Sequence, residues 1–338
     1  MKIERVLITG TAGFVGFHLA SLLLRQGFFV HGYDGITDYY DVVLKRRRHA
    51  ELSLNDKFSF TEGMLEDEVL LSKTANDFNP DVVVHLAAQA GVRYSLENPR
   101  AYIDSNIIGT FNVMEIAKHL KVQHLLMAST SSVYGANTEM PFSELERVET
   151  PLTIYAATKK ANETMAHSYS HIYGIPTTMF RFFTVYGPWG RPDMALFKFT
   201  KGILDGTPID IYNNGNMYRD FTYVTDLARG IVGLISTIPN KDSLPVPGDS
   251  LSPVAPFRVV NIGNSEKVKL MDFIEAIEDE LGIKAKRNYM PMQIGDVPAT
   301  WADTSLIFKL TGFNAEISYK QGVSNFVAWY QEYFKDAQ

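Results

Sequence analysis

The sequence has no cysteine among its 338 residues. This excludes disulfides, thiolate nucleophiles and cysteine-ligated metals, and it fits a reducing compartment. Long apolar runs are also missing, because stretches such as residues 19–24 are far shorter than the roughly 20 residues that span a bilayer. The N-terminal residues run straight into an apolar strand pattern and lack the features of a signal peptide. We therefore expect a cytoplasmic protein without membrane association.

An excess of positive charge is missing as well. The chain carries 32 Lys and Arg against 38 Asp and Glu, which gives a net charge of −6. This balance argues against generic nucleic-acid binding, so an anionic ligand must be held by local cations. The 8 histidines show no clustered spacing typical of metal ligands. His167 and His171 lie four positions apart on a predicted helix, where packing explains them better, and no metal site is predicted.

Short β-branched runs alternate with longer amphipathic segments through the first half of the chain. The predicted strands cover residues 6–8, 29–34, 58–60, 82–86, 124–128 and 177–181. The predicted helices cover residues 14–26, 101–120 and 155–173. This alternation predicts an α/β fold of the Rossmann type, with a doubly wound parallel sheet.

The pattern becomes irregular after about residue 184, where Gly, Pro, Asn and aromatic residues interrupt it. We predict a first domain over residues 1–184, completed by about 220–240 and part of 257–265. Residues 185–338 are then expected to form mainly a smaller, mixed α/β C-terminal lobe that binds the substrate. Its predicted strands cover residues 209–212 and 259–262, and its predicted helices cover residues 270–281 and 322–334.

A glycine-rich turn, residues 9–16, follows the first predicted strand and opens the first helix. Gly10, Gly13 and Gly16 permit a tight turn and close backbone approach to a pyrophosphate, which the helix N-terminus would face with free N–H groups. The spacing Gly-x-x-Gly-x-x-Gly alone is weak evidence for a dinucleotide-binding turn. Its position between a strand and a helix makes that evidence strong. Asp34 ends the second strand, where a carboxylate accepts the ribose hydroxyls of NAD and repels the extra phosphate of NADP.

Three consecutive arginines, Arg46 to Arg48, follow later in the chain. Such cations could in principle favour NADP. We interpret them as a solvated helix face and predict NAD as the cofactor.

Tyr155 precedes Lys159 by one helical turn, so both lie on one face of a predicted helix. A free tyrosine has a pKa near 10 and is a poor base at neutral pH. The positive charges of Lys159 and of an oxidised nicotinamide would favour the tyrosinate. The pair also follows a hydroxyl cluster, residues 129–132, about 25 positions upstream. These features predict a proton acceptor beside a hydride-transferring cofactor.

Taken together, these motifs resemble the extended short-chain dehydrogenase/reductase family over nearly the whole chain. Further markers lie at residues 85–88, 129–135 and 295–303. Within that family the chain is similar to NAD-dependent nucleotide-sugar epimerases that act on UDP-glucuronic acid, through residues 90–95 and 181–194. The resemblance implies that Tyr155, Lys159 and Thr130 are catalytic, Thr130 by its alignment before Val133. The cofactor-binding residues that it implies are Gly10, Gly13, Phe14, Val15, Gly16, Asp34, Leu65, Leu86, Ala87, Ala88, Asn106, Tyr155 and Lys159.

The resemblance also implies which reaction the protein catalyses. Related dehydratases and decarboxylases typically carry an acid just before Val-Tyr-Gly, where this chain has Ser131 and Ser132. This favours simple oxidation and reduction at carbon 4, which converts UDP-glucuronate to UDP-galacturonate. Hydroxyls at Ser131, Ser132 and Thr184, with the guanidinium of Arg191, are expected to hold the sugar carboxylate. The alternatives are turn-forming serines and a surface salt bridge of Arg191.

The nucleotide end of the substrate is assigned to the second lobe by the same resemblance. Arg219 matches a diphosphate-binding arginine, Tyr212 an aromatic residue against uracil, Asp296 a carboxylate that contacts ribose or a loop, and Arg93 belongs to the substrate motif. A homodimer is expected through the apolar helices that begin near residues 101 and 155. Three alternatives stay open: 5-epimerisation, decarboxylation, and a non-catalytic NAD-binding regulatory module.

Two positions depart from the family pattern. Met64 stands where many relatives carry an aspartate that holds adenine, so adenine is expected to rest on backbone or on Glu66 or Asp67. Gln293 replaces an arginine of galactose epimerases, which leaves more of the diphosphate charge to Arg219.

Overall fold

A seven-stranded parallel sheet forms the centre of the computed structural model, which describes residues 2–335. The strands are β1 (Arg5–Thr9), β2 (Phe29–Asp34), β3 (Phe58–Glu62), β4 (Val82–His85), β5 (His124–Thr130), β6 (Thr177–Phe182), β7 (Thr184–Tyr186), β8 (Ile209–Ile211), β9 (Tyr218–Arg219), β10 (Phe221–Tyr223), β11 (Phe257–Ile262), β12 (Val268–Lys269), β13 (Arg287–Tyr289) and β14 (Ala299–Thr300). The helices are α1 (Phe14–Arg25), α2 (Val42–Leu52), α3 (Glu68–Phe78), α4 (Tyr94–Glu97), α5 (Pro99–Tyr102), α6 (Gly109–Leu120), α7 (Ile154–Tyr173), α8 (Ala195–Leu204), α9 (Val224–Ile235), α10 (Leu270–Leu281), α11 (Ser305–Thr311) and α12 (Tyr319–Lys335).

The sheet order is β11-β6-β5-β4-β1-β2-β3, and every pairing in it is parallel. Strand order reverses between β1 and β4, and ligands bind at such a point, at the carboxyl ends of the strands. The predicted Rossmann-type fold is confirmed. Smaller sheets join β7 to β10, β8 to β13, and β9 to β12 and β14.

Apolar side chains alternate between the two faces of the sheet, because successive residues of a strand point to opposite sides. Val6 and Ile8 enter one cluster, which packs against α1 and α9. Leu7 between them enters the other cluster, which packs against α3 and α6. The central strands β1, β4 and β5 are buried on both faces, which explains why they read as continuous apolar runs.

The long helix predicted over residues 101–120 is divided in the structure. After α5 the backbone forms π-helical turns at Ile103–Ile108, and α6 follows directly at Gly109. Single π turns inside helices are frequent at functional sites. Here they place the Asn106 side chain toward the segment that follows β4.

One interpretation of the arginine run is wrong. Arg46 is exposed and pairs with Glu62, but Arg48 is fully buried. Its guanidinium donates to the carbonyls of Ala12, at 2.7 Å, and Trp189, at 2.6 Å. Arg48 therefore ties the glycine-rich turn to the segment that precedes Arg191, because a buried guanidinium needs acceptors for its several donors.

The second half of the chain forms its own apolar cluster from α8, α10 and α12, with the aromatic side chains of Phe273 and Phe326 at its centre. Later residues also return to the sheet, since Leu306, Ile307 and Phe313 join the cluster with α1 and α9. The division into two lobes stays a prediction. No helix among residues 2–335 is long and apolar enough to cross a membrane.

Candidate active site

A cavity of about 1230 Å³ lies at the carboxyl ends of β1, β2, β4 and β5. Typical single-ligand pockets measure roughly 300–1,000 Å³, so this one has room for two ligands. Most residues predicted from the sequence line it, namely Gly10, Gly13, Phe14, Val15, Gly16, Asp34, Leu65, Leu86, Ala87, Ala88, Arg93, Thr130, Ser131, Ser132, Tyr155, Lys159, Thr184, Arg191, Tyr212, Arg219 and Asp296.

The glycine-rich turn brings free backbone donors to the cavity. Gly10 has φ +88°, and a Cβ there would lie 2.7 Å from the amide nitrogen of Ala87. Gly13 precedes α1 without a side-chain cap, and the first turn of α1 has no acidic residue. The first N–H groups of α1 and the positive end of its dipole are therefore available for an anion.

Asp34 lies beside this turn at the end of β2. Its carboxylate accepts the N–H groups of Ala12, at 2.9 Å, and Ile36, at 2.8 Å. Burial raises the pKa of Asp34, while these two bonds oppose the rise. The neighbouring cation Lys45 donates to the carbonyl oxygen of Thr37 at 2.6 Å. The site therefore fits the ribose hydroxyls of NAD, and the closest lysine already has a partner.

Asn106 is the one predicted cofactor residue that the structure does not bring into the cavity. Its side chain is fully buried behind the segment that follows β4. The amide accepts the backbone N–H of Gln89 at 2.9 Å and donates to the carbonyl of the same residue at 3.1 Å. It also donates to Thr158 Oγ1 at 3.1 Å, on α7. Asn106 thus supports the cavity wall through Gln89 and α7.

Met64, at the position where the resemblance implied an aspartate, lines the cavity. Its thioether packs over Gly35, where a Cβ would collide with the sulfur. Asp67 caps α3 by accepting the N–H of Leu70 at 3.0 Å. Glu66 accepts from Ser105 Oγ at 3.1 Å, and Ser105 also lines the cavity. Of the two carboxylates expected near adenine, Asp67 is thus committed to a helix.

Tyr155 and Lys159 lie at the start of α7, where Thr153 caps the helix by accepting the N–H of Ala156 at 3.2 Å. Lys159 Nζ donates to the carbonyl of Ala128 at 2.9 Å, and burial lowers its pKa to about 8. Burial raises the pKa of Tyr155, and the Thr130 hydroxyl and the charge of Arg191 oppose that rise. In the protein without its cofactor, desolvation of the phenolate therefore outweighs these two effects.

The hydroxyl cluster divides into two groups. The Ser129 hydroxyl donates to Glu163 at 2.7 Å, inside a buried pair with Arg181. Thr130 ends β5 and lines the cavity with the two serines that follow it. Its Oγ1 accepts the backbone N–H of Ser132 at 3.2 Å. The turn after β5 therefore holds these hydroxyls beside Tyr155.

Arg191 forms an ion pair inside the cavity, and the surface salt bridge considered for it is not what the structure shows. Its Nε donates to Asp193 Oδ1 at 3.0 Å and its Nη2 to Asp193 Oδ2 at 2.6 Å. The Tyr39 ring lies 5.6 Å from the guanidinium, and the Tyr39 hydroxyl donates to Asp193 at 3.3 Å. Burial raises the pKa of Tyr39 to about 12, so this hydroxyl stays protonated at neutral pH.

The three residues assigned to the nucleotide meet Arg93 at one end of the cavity. The Arg93 guanidinium lies 4.6 Å from the Tyr212 ring and 3.7 Å from the Asp296 carboxylate. Arg219 donates to the carbonyl of Tyr218 at 2.8 Å, which leaves donors for an anion. Burial lowers the pKa of Arg219, and Asp296 opposes this shift.

Sequence reasoning missed several aromatic residues of the cavity wall. Tyr39 and Tyr94 pack with their ring centroids 4.8 Å apart. Behind this wall, the fully buried Tyr102, whose ring lies 6.0 Å from that of Tyr155, donates to the carbonyl of Ala90 at 3.1 Å. The consecutive tyrosines at positions 39 and 40 were the available signal. Among the described residues 2–335, no group of His, Asp or Glu is arranged to hold a metal ion.

Comparisons with known proteins agree with this geometry. Residues 6–246 match the model of the NAD dependent epimerase/dehydratase family. A probable UDP-glucuronate 4-epimerase of Rhizobium meliloti (strain 1021) is 54% identical over 336 residues, covering 98% of each chain. UDP-glucuronate 4-epimerase 4 of Arabidopsis thaliana is 46% identical over 97% of this chain and 76% of its own length.

Solved structures give the same result. The crystal structure of UDP-glucuronic acid 4-epimerase from Bacillus cereus, in complex with UDP-glucuronic acid and NAD, superposes with a TM-score of 0.87 at 32% identity. The match covers 98% of this chain and 100% of that one. With two thirds of its sequence matched by the family model and relatives similar along its length, the chain belongs to the NAD-dependent epimerase/dehydratase family.

Proposed function

We propose that the protein is an NAD-dependent epimerase that converts UDP-glucuronate to UDP-galacturonate by inversion at carbon 4. The observation that carries this proposal is one continuous cavity with three parts. A dinucleotide-type turn at Gly10 and Gly13 lies at one end, and Tyr155 with Thr130 lines its wall. Arg191 and the hydroxyls that could receive a sugar carboxylate line the same space.

The residues present fit NAD as the resident cofactor. The uncapped N-terminus of α1 suits its pyrophosphate, and the Asp34 carboxylate suits its adenosine ribose. Bound NAD supplies hydride removal from carbon 4 and hydride return to the opposite face. Ala87 and Ala88 line the cavity after β4, and their small side chains let a ligand approach the backbone closely.

Tyr155 is proposed to accept the proton of the 4-hydroxyl and later to return it. Its buried phenol must ionise against desolvation, so the groups that favour the charged form matter. Thr130 contributes a hydrogen bond and Arg191 a positive charge. Lys159, fixed by the Ala128 carbonyl, presents a buried ammonium on the same helical face. These roles make the transfer reversible, as an epimerase requires.

Ser131 and Ser132 decide against elimination, because neither can supply the carboxylic acid that dehydration needs. Both line the cavity beside Thr130, as does Thr184 on β7. Their hydroxyls and Arg191 are proposed to hold the sugar carboxylate. The 4-keto form of a glucuronate is a β-keto acid, so this hold also protects it from loss of carbon dioxide.

Proton NMR of the products formed from UDP-glucuronate without added NAD tests this function. We expect UDP-galacturonate, with no deuterium at carbon 5 when the reaction runs in deuterium oxide, and activity that depends on co-purified NAD. Deuterium at carbon 5 would indicate 5-epimerisation, carbon dioxide would indicate decarboxylation, and NAD binding without turnover would indicate a regulatory module. Each of these results would contradict the proposal.

The role of Tyr155 can be tested by comparing two variants on α7, Tyr155→Phe and the control Tyr173→Phe. We expect Tyr155→Phe to lower kcat by about 10²- to 10⁴-fold, the usual contribution of a positioned proton carrier, while bound NAD is retained. Tyr173→Phe alters an exposed ring at the far end of α7 and should leave kcat unchanged. Equal activity of the two variants would remove Tyr155 from the mechanism.

A homodimer and a cytoplasmic location are proposed together with this function. Apolar side chains are exposed across α7, α6 and the π-helical turns before α6, including Ile108 at 41%, Phe111 at 43% and Ile172 at 64%. The Phe111 ring packs edge-on against Tyr169, which joins the two helices into one face. Contiguous exposed apolar surface of this kind marks an interaction site, and a second copy of the chain is its proposed occupant.

A further inference from the structure

The Arg191–Asp193 pair has features that the proposed carboxylate receptor alone does not require. The guanidinium is bound by an aspartate two residues away, and both side chains are largely buried, at 18% and 30% exposure. A residue that only had to attract an acid sugar would be more attractive without this carboxylate. The pair therefore does more than supply a positive charge to the site.

Asp193 occupies one edge of the guanidinium. It binds Nε and Nη2, the two donors of that edge, so Nη1 and the second hydrogen of Nη2 stay available along the other edge. The rings of Tyr39 and Tyr40 lie 5.6 and 5.9 Å from the guanidinium carbon and limit its movement. Arg191 is thus presented in one orientation, with one edge free.

Tyr39 fixes the aspartate in turn. Its hydroxyl donates to Asp193 Oδ2 at 3.3 Å. The backbone of Gly91 passes this point with φ +109°, and a Cβ there would lie 2.8 Å from the Tyr39 hydroxyl and 3.9 Å from Arg191 Nη2. A side chain at position 91 would displace this arrangement, so the glycine keeps the space beside the guanidinium open.

The charge balance of the pair is also informative. Arg191 and Asp193 together are neutral, so an arriving carboxylate meets oriented donors and little net attraction. A bare guanidinium in a desolvated site would hold a carboxylate much more tightly. An epimerase must let its keto sugar turn between two orientations, and a hold of limited strength permits this.

We propose that Asp193, supported by the Tyr39 hydroxyl, is a positioning residue that aims the free edge of Arg191 at the carbon-6 carboxylate of the sugar. This inference rests on the proposed function and deepens it. A 4-keto glucuronate loses carbon dioxide when its C5–C6 bond breaks, the electron pair enters the enolate of the carbon-4 ketone, and carbon 5 then takes a proton. The bond must align with the ketone π system for this step. A carboxylate fixed by Arg191 is kept away from that alignment, and Asp193 determines where it is fixed.

The test measures carbon dioxide released per UDP-galacturonate formed, together with kcat and KM for UDP-glucuronate. We expect Asp193→Asn to raise the released fraction about tenfold and to lower kcat/KM about tenfold, because misplaced binding groups have effects of this size or larger. Tyr39→Phe should shift both quantities in the same direction by less. Asp193→Glu, which retains the carboxylate, should restore part of the wild-type ratio.

Asp77→Asn serves as the control, since Asp77 forms an exposed ion pair with Lys73 on α3 and should leave the ratio unchanged. Bound NAD is measured in every variant, and its loss from Asp193→Asn would make Tyr39→Phe the deciding variant. An active wild-type enzyme with unchanged product ratios in Asp193→Asn and Tyr39→Phe would overturn this inference alone. Wild-type protein that does not epimerise UDP-glucuronate would overturn the proposed function and this inference with it.

Discussion

At the scale of single residues, Lys159 lies on the same helix as Tyr155 but has a different environment. Lys159 Nζ binds a backbone carbonyl of β5, and no carboxylate pairs with it in the described residues. Burial therefore lowers its pKa to about 8. The ammonium is present below that pH and is lost as the pH rises through it.

The direction of this pKa shift predicts how activity depends on pH. Activity should rise with pH as a larger share of the buried phenol of Tyr155 ionises, and the rise should stop above about pH 8, because loss of the Lys159 charge then offsets further ionisation of Tyr155. In Lys159→Arg the guanidinium stays charged, so we expect lower activity that keeps rising above pH 8. The measurement is kcat/KM for UDP-glucuronate from pH 6 to pH 10. Lys160→Arg is the control, and a rise that stops at the same pH in the wild type and in Lys159→Arg would contradict the prediction.

Residue identity could be predicted wherever the signal was local in sequence. Tyr155 and Lys159 share one helical turn, and Gly10 and Gly13 share one loop, so spacing alone was enough to indicate them. The role of Asp193 was not predicted although Arg191 lies only two residues away, because its second partner, Tyr39, lies 154 positions earlier in the chain. A contact of that kind depends on how α-helices and loops assemble around the sheet, which no short pattern encodes.

At the scale of elements, the turn before α1 differs from other glycine turns of the same backbone type. Gly10 and Gly174 both have positive φ, at +88° and +68°. A Cβ at Gly10 would lie 2.7 Å from the backbone nitrogen of Ala87, whereas a Cβ at Gly174 would have nothing within 4 Å. A side chain would be strained by the positive φ at either position. Only at Gly10 would it also collide with the segment after β4 that lines the cavity.

The two glycines form a matched pair of variants. Gly174→Ala should destabilise the fold by about 1 kcal/mol through strain alone and should retain NAD. Gly10→Ala should destabilise it more and should lose NAD, because β1 and the segment after β4 must separate. Thermal unfolding and the NAD released on denaturation measure both effects. Equal NAD content in the two variants would show that the turn does not bind the cofactor.

Element boundaries were predictable where burial made the pattern simple. All seven residues of β5 are buried, and the sequence there is an unbroken apolar and small-residue run. The π-helical turns at Ile103–Ile108 were not predicted, since the apolar spacing around them is also compatible with a regular helix. The buried face of helix α2 was not predicted. Its residues Lys45 and Arg48 are polar, and hydrogen bonds, not apolar character, stabilise their burial.

At the scale of the whole molecule, the cavity depends on segments that are far apart in the chain. The wall after β5 carries Thr130, whereas Arg219 comes from β9 and Asp296 from the loop before β14. Asp220 stabilises this junction by accepting the N–H groups of Asn264 and Ser265 at 2.8 and 2.9 Å. The alternation of strands and helices predicted the sheet, but the return of residues 305–313 to it was not visible in sequence, because their short apolar run has no distinguishing period.

The apolar face of α6 and α7 gives a prediction about assembly. Phe111 is 43% exposed in the single chain, so Phe111→Asp should leave the monomer folded while placing a charge where a second copy would pack. Burying an unpaired carboxylate in an apolar interface is strongly unfavourable. We expect light scattering after size exclusion to give twice the chain mass for the wild type and the mass of one chain for Phe111→Asp. Leu54→Asp, at a site that is 83% exposed and distant from this face, should remain dimeric. A monomeric wild type, or a dimeric Phe111→Asp variant, would show that α6 and α7 do not form the interface.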